Sequence, residues 1–296
     1  MTNAGDDAMR ARIRGTDLYF DVDGMGLVPD GDRMRERPVM FLLHGGPGGD
    51  HASFKNKLPP LTDTAQLVYI DHRGSGRSVD SDPESWTLEN NIDDIDALRE
   101  HLGLETICLL GSSYGGMVAQ GYAIRYPDRL SHLVLVATAC SHRFLDDAQR
   151  IVAERGTADQ IQVCQRLWDG RFETQEQLAE YYRLMGPWYA RSFDSEKFQS
   201  GWGRGLRNFE QLNRGFDGFL KTFDFTDDLP GIPCPTLVLS GAHDWICPVN
   251  HGRLIAERIP RAHFKVFANS AHSLAEDEPE AFLAVLRGFL TYAARA

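Results

Sequence analysis

Thr106-Ile107-Cys108-Leu109-Leu110-Gly111-Ser112-Ser113-Tyr114-Gly115-Gly116-Met117-Val118-Ala119 is the stretch that decides the fold. Its first five residues are short and apolar and read as a buried strand. From Gly116 to Ile124 the chain reads as a helix able to pack closely on a sheet. The turn between them, Gly111-Ser112-Ser113-Tyr114-Gly115, is a G-x-S-x-G motif. Strand, tight turn and helix form the setting in which that motif presents its central serine, Ser113, as a nucleophile. The flanking glycines let the backbone reverse without Cβ clashes. A glycine-rich turn carrying an ordinary serine has the same five letters, so the reading depends on the rest of the chain.

A second apolar run, Val39 to Leu43, ends in His44-Gly45-Gly46-Pro47-Gly48-Gly49. A glycine-rich loop can aim backbone N–H groups at a developing oxyanion, because no side chain blocks the approach. A serine in this kind of turn takes one donor from the next residue, here Tyr114. The other comes from the loop after the third strand, here Gly46. No Lys-Ser/Thr pair follows the loop, which argues against a phosphate cradle.

A serine hydroxyl needs a base to remove its proton, and the base needs a carboxylate to orient it. In this arrangement the chain order is Ser, acid, His. Pro235 to Leu239 is an apolar strand running through Ser240-Gly241-Ala242-His243 into Asp244. His263 to Phe267 is a later strand, and His272 stands on the loop beyond it, before a helix opened by Glu278-Pro279-Glu280. His44, His51 and His72 precede Ser113, His243 adjoins Asp244 itself, and His251 falls in a helix. Asp224, Asp227 and Asp228 precede the strand rather than end it. The expected triad is therefore Ser113, Asp244 and His272.

With these residues in place, the chain resembles the α/β-hydrolase superfamily, and within it the proline iminopeptidase-like serine hydrolases. The resemblance rests on His44-Gly45-Gly46-Pro47-Gly48, on Asp71-His72-Arg73-Gly74-Ser75-Gly76-Arg77-Ser78 and on Gly111-Ser112-Ser113-Tyr114-Gly115-Gly116. It implies a mostly parallel central sheet flanked by helices, with an inserted helical cap. The core is expected over residues 1–140 and 229–296 and the cap over 141–228, which matches the family poorly. The implied chemistry is cleavage of an amide or ester bond of a small molecule or short peptide through an acyl-enzyme, without a cofactor. Proline iminopeptidases hold the substrate's free α-amino group with carboxylates from the cap and, in some members, from the residue after the triad aspartate. Here that residue is Trp245, which offers an ammonium only a cation–π face. Asn213 stands near the expected glutamate, with Glu210 and Asp217 close but off register. Trp245, Asn213 and Glu210 are thus the candidate substrate contacts, and an esterase or lactonase acting on an apolar acyl group competes with the aminopeptidase reading. Dehalogenases and epoxide hydrolases of this fold use an aspartate at the elbow. C–C bond hydrolases keep the serine. A catalytically silent binding protein of the fold is expected to lose a triad member, and none is lost.

Composition sets further bounds. The 296 residues include 42% hydrophobic and 25% charged side chains, the balance of a soluble globular protein. A net charge of −11 without a basic run argues against nucleic acid. Met1 to Asp7 is polar and acidic, without the basic and apolar regions of a signal peptide. No apolar run approaches membrane-spanning length. The five cysteines are scattered and form no C-x-x-C, so they read as reduced thiols of a cytoplasmic protein without a metal site.

Along the chain, Ala11 to Asp23 reads as a first hairpin, Gly24 to Pro38 as a polar connector, and Thr87 to Gly103 as a helix. Gln66 to Ile70 and Leu130 to Ala137 read as further strands. Between Ser141 and Asp228 helical periodicity takes over, with Ile151, Val152, Ile161, Val163, Leu167, Leu178, Tyr181, Tyr182 and Leu184 expected to point inward. Aromatics are dense there, among them Trp168, Tyr181, Tyr182, Trp188, Tyr189, Trp202 and Phe216. Most are expected in the cap's own core and some in a mostly apolar pocket over Ser113.

Overall fold

The computed structural model describes residues 10–79, 81–201 and 205–293; Met1 to Asp7 and Trp202 lie outside the described residues. Strands β1 (Arg10–Ile13) and β2 (Thr16–Asp23) form the expected hairpin. Then come β3 (Leu27–Asp30), β4 (Arg33–Glu36), β5 (Val39–Leu43), α1 (Ala52–Lys55), β6 (Gln66–Ile70), α2 (Leu88–His101), β7 (Ile107–Ser112), α3 (Tyr114–Arg125) and β8 (Leu130–Val136). Helices α4 (Phe144–Arg155), α5 (Ala158–Trp168), α6 (Gln175–Tyr189), α7 (Ser195–Gly201) and α8 (Phe209–Asp217) follow, with no strand between them among the described residues. The chain returns through β9 (Thr236–Gly241), α9 (Val249–Arg258), β10 (Ala262–Phe267), α10 (Leu274–Asp277) and α11 (Pro279–Ala293).

Eight of these strands form one sheet, ordered β1-β2-β6-β5-β7-β8-β9-β10. From β6 to β10 its neighbours run parallel, while β2 joins β6 antiparallel. Parallel strands are buried on both faces and so read as continuous apolar runs. In β5, Phe41 and Leu43 enter one core cluster while Met40 and Leu42 enter the other. In β7, Ile107 and Leu109 alternate in the same way with Cys108 and Leu110.

The sheet order also places the site. From β5 the chain steps outward to β6, then returns to lay β7 on the other side of β5. Ligands of open parallel sheets bind where strand order reverses, in the crevice beyond the strands' carboxyl ends. Here that crevice lies past Leu43 and Ser112, where the glycine loop and Ser113 begin.

Two sequence expectations need correction. The connector from Gly24 to Pro38 contains the two-stranded sheet β3–β4. Its only buried side chain is Val28, so no apolar alternation announces it. Ile161 faces solvent, although Val152, Val163, Leu167, Leu178 and Tyr181 are buried. At the base of the helical insertion, Phe225 N–H donates to Cys140 O and His142 N–H to Phe223 O, at 2.8 and 2.9 Å. The two ends of the inserted segment thus leave the sheet side by side.

Candidate active site

Ser113 sits between β7 and α3 with φ 55° and ψ −120°, a strained conformation for a residue with a Cβ. Its surroundings leave no room for relaxation. A Cβ on Gly111 would lie 2.1 Å from Gly115 O, and one on Gly115 would lie 2.0 Å from Leu43 O. Thr138 Oγ1 donates to Ser113 O at 2.7 Å and pins the elbow from β8's side. The backbone therefore holds the Ser113 hydroxyl out at the sheet edge, where it lines a cavity.

His272 lines the same cavity from the loop after β10. Its Nδ1 lies 2.8 Å from Asp244 Oδ2, and the Asp244 carboxylate is fully buried. The other oxygen, Oδ1, accepts the N–H groups of Ile246 and Cys247 at 2.9 and 3.0 Å. A carboxylate held this way can only accept, so the hydrogen belongs on Nδ1 and the free Nε2 is a proton acceptor. Asp224 pairs with Arg143, and Asp227 is exposed. Neither pairs with His272, whose partner is Asp244.

The histidine loop is braced by acids from just downstream. Asp277 Oδ2 accepts Ala271 N–H at 2.8 Å, next to His272. Asp277 Oδ1 accepts both the N–H and the hydroxyl of Ser192, at 2.9 and 2.8 Å. Glu278 takes Asn269 N–H and Ser270 Oγ–H. Ser273 N–H donates to Tyr189 O at 2.8 Å, and the Tyr189 ring stands edge-on to His272, with centroids 5.4 Å apart. The end of α6 and the segment after it are thus fastened to both flanks of the imidazole. Sequence reading missed this brace. Its only trace was the acidic run five residues past the histidine.

The glycine loop is held from beneath. A methyl on Gly45 would lie 3.2 Å from Ser113 Cβ, which places the loop against Ser113. His44 Nδ1 contacts Gly45 O at 2.7 Å, and His44 Nε2 receives the N–H of His72 at 3.2 Å. The pair of contacts sets the tautomer: Nδ1 donates, Nε2 accepts. His44 thereby orients the Gly45–Gly46 peptide, whose other end is the Gly46 N–H. Burial lowers the pKa of His44 and pulls that of His72 well down, so both stay neutral. The Asp71-to-Ser78 turn is a buttress for this loop. Asp71 Oδ1 accepts His51 N–H and Nδ1–H, both at 2.7 Å, and Oδ2 accepts Arg77 N–H. Burial alone would raise the Asp71 carboxyl, but the hydrogen bond from His51 and nearby imidazoles outweigh it and leave it lowered. Arg73 makes a buried bidentate pair with Asp94, at 2.7 and 2.6 Å. Tyr114, the first residue of α3, has an N–H that the helix itself leaves unbonded. Its hydroxyl accepts from Asn91 at 2.6 Å.

The cavity encloses about 500 Å³. The helical insertion contributes Leu167, Tyr181, Tyr182, Tyr189, Arg207, Leu212 and Phe216 to its wall, and the core contributes the glycine loop, the polar side chains Asp50, Ser53, Asn56 and Lys57, and the apolar Phe54, Val136, Ile246 and Phe282. Of the three residues proposed from sequence as substrate contacts, none lines it. Trp245 is buried behind Tyr189, edge-on to it and to Trp188 at 5.6 and 6.0 Å. Asn213 is consumed by the Phe172 backbone, donating to its O and accepting its N–H. Glu210 and Asp217 are exposed, the latter paired with Lys221. No group of three or more metal-binding side chains occurs among the described residues, and no described helix is long and apolar enough to cross a membrane.

Comparison with known proteins shows the family. The family model of the alpha/beta hydrolase fold matches residues 38–279. The chain is 32% identical over 261 residues to the proline iminopeptidase PfmaB of Pestalotiopsis fici, covering 86% of this chain and 92% of that protein. It is 31% identical over 280 residues to a proline iminopeptidase of Levilactobacillus brevis, covering 88% and 90%. Among solved structures, the proline iminopeptidase of Mycobacterium smegmatis superposes with a TM-score of 0.75 at 23% identity, over 96% of this chain and 97% of that one. That last likeness is one of fold alone.

Proposed function

The chain belongs to the alpha/beta hydrolase fold family, and from that premise we propose that it is a serine hydrolase cleaving an ester or amide of a small, largely apolar acyl group. The observation that carries this reading is the strained Ser113 sharing one cavity with His272, whose Nδ1 is bonded to buried Asp244.

In the first step His272 Nε2 takes the Ser113 hydroxyl proton as Oγ bonds to the substrate carbonyl carbon. The carbonyl's electron pair moves to oxygen, and the N–H groups of Gly46 and Tyr114 receive the oxyanion. Buried Asp244 stabilises the imidazolium and keeps its orientation. Collapse of the intermediate breaks the bond to the leaving group, which departs with the proton from His272. Water then attacks the acyl-enzyme, His272 again taking and returning the proton, and the acid is released. Such preorganised donors are worth about 3 kcal/mol each in the transition state.

The substrate departs from what the relatives' names suggest. An α-ammonium needs a carboxylate, because charge-assisted hydrogen bonds are about twice as strong as neutral ones. Among the described residues the cavity wall offers one, Asp50, and its oxygens already accept Leu206 N–H at 2.7 Å and Ala52 N–H at 3.2 Å. The aromatic and aliphatic part of the wall, Leu167, Tyr181, Tyr182, Tyr189, Leu212 and Phe216, instead favours an apolar acyl group, at about 25 cal/mol per Å² buried.

The test is a panel of prolyl and alanyl arylamides, their N-acylated analogues and plain acyl esters of similar size, with Ser113→Ala as the blank. Hydrolysis lost in Ser113→Ala, with kcat/KM for the plain ester at least equal to that for the free amine, is expected. A hundredfold preference for the free amine would restore an aminopeptidase. Full turnover by Ser113→Ala would remove the serine mechanism.

A further inference from the structure

Tyr181 and Tyr189 face each other across the cavity wall with their hydroxyl oxygens 2.8 Å apart. Each phenol carries one hydrogen, and only one of the two can lie between the oxygens. Among the described residues neither hydroxyl has another partner. The pair therefore holds one hydrogen that no acceptor among the described residues uses. Burial pushes both phenols well above their usual range, so that hydrogen stays in place at any pH at which the enzyme works.

The location gives the pair its meaning. Tyr181 is fully buried, and Leu167, Leu212 and Phe216 are apolar neighbours in the wall of the same cavity, which Arg207 also lines. The pair is part-buried at the cavity wall, and a ligand that supplies an acceptor there gains a hydrogen bond. Tyr189 places the pair beside the reacting centre, since its ring abuts the His272 imidazole. The neighbouring Tyr182 ring lies 5.6 Å from the Arg207 guanidinium carbon. Only an acceptor such as an oxygen can take the pair's remaining hydrogen, and an ammonium, which has no lone pair, cannot.

We propose that the Tyr181–Tyr189 hydroxyl pair is a specificity site of the acyl pocket, and that favoured substrates carry a keto oxygen on an otherwise apolar acyl chain. The proposal rests on the serine-hydrolase reading. The pair donates to the keto oxygen while the scissile carbonyl lies at Ser113. No bond is made or broken at the tyrosines.

The experiment compares kcat/KM for the p-nitrophenyl esters of heptanoic acid and of its 4-, 5- and 6-oxo analogues. The three positions sample the distance from Ser113 to the pair. At least one oxo ester should be preferred over heptanoate by about tenfold, one good neutral hydrogen bond. The double variant Tyr181→Phe/Tyr189→Phe should bring that ratio to within about twofold of unity, and at least one single variant should do the same, since either phenol left alone still carries one hydrogen. The ratio is the readout because any general loss of activity affects both esters alike. If one variant fails to fold, as circular dichroism would show, the other carries the test, and the wild-type ratio stands independently of both. Ser113-dependent hydrolysis of heptanoate with no oxo preference, or a preference surviving in the phenylalanine variants, overturns this proposal alone. No hydrolysis of any ester, with Ser113 unreactive, overturns the hydrolase reading and the proposal with it.

Discussion

Replacing Asp277 by asparagine separates the brace of the histidine loop from the triad itself. One carboxylate serves three donors: Ala271 N–H through Oδ2, and the N–H and hydroxyl of Ser192 through Oδ1. An asparagine of the same shape keeps only one accepting oxygen. If that oxygen stays with the two Ser192 donors, an NH₂ group opposes Ala271 N–H and the loop loses its hold beside His272. A hydrogen bond to a charged group contributes about 1.5–3 kcal/mol. Asp277 is partly exposed, so the lower end applies. Spent on alignment of the base, about 1.4 kcal/mol is tenfold in rate. Asp277→Asn should therefore lower kcat on a simple aryl ester about tenfold, with KM little changed. Glu276→Gln is the control on the same short helix. It removes a partly exposed pair with Lys57, of the kind worth about 0–1 kcal/mol, and leaves the Ala271 and Ser192 donors in place. The assay is steady-state kinetics with the thermal midpoint and the pH profile of kcat measured alongside. If Asp277→Asn lowered the melting temperature but left kcat and its pH profile within twofold of wild type, the brace would be structural only, and the reasoning would be refuted.

Asp244→Asn should keep the fold but favour the wrong imidazole tautomer, lowering kcat by about 10⁴ at neutral pH with partial recovery at alkaline pH; a loss below tenfold would reassign the orienting acid. Stability should fall on acidification below about pH 6.5, the usual imidazole value. His44 and His72 bury neutral imidazoles whose pKa values are lowered, so in that window the unfolded chain binds protons that the native state does not. Each contributes up to about 1.4 kcal/mol per pH unit. Urea titrations at pH 7.5, 6.5 and 5.5 should show this slope, less steep by up to one proton in His72→Asn; an equal slope in that variant would contradict the assignment. Gly115→Ala forces a Cβ to 2.0 Å from Leu43 O and should destabilise the fold by about 3 kcal/mol or more, which denaturant unfolding would detect; a loss under 1 kcal/mol would mean that the elbow is loose.

The sheet could be read from the sequence because burial on both faces leaves an unmistakable apolar run in each of β5, β6, β7, β8 and β9. The positions of Ser113, Asp244 and His272 at strand ends could be read for the same reason, since strand and loop alternate sharply there. What escaped was set by contacts between distant segments. The β3–β4 pair is solvated on nearly every side chain and so has no pattern to read. Ile161 keeps helical spacing yet falls on the outer face of α5. Asn213 and Glu210 stood near the expected amino-group clamp in the linear sequence. In the folded chain one turns to the Phe172 backbone and the other to solvent. The tyrosine pair and the Asp277 brace join residues whose relation exists only once α6 rests against the histidine loop.

The central claim is that Ser113 attacks the substrate and carries its acyl group. A fluorophosphonate probe tests this most directly, because it bonds only to a serine made nucleophilic by its surroundings. After labelling and proteolysis, mass spectrometry should find one probe per chain, on the peptide containing Ser113. Labelling should disappear in Ser113→Ala and be strongly slowed in Asp244→Asn. Stoichiometric labelling at another serine, or an active enzyme that leaves Ser113 unmodified, would contradict the account.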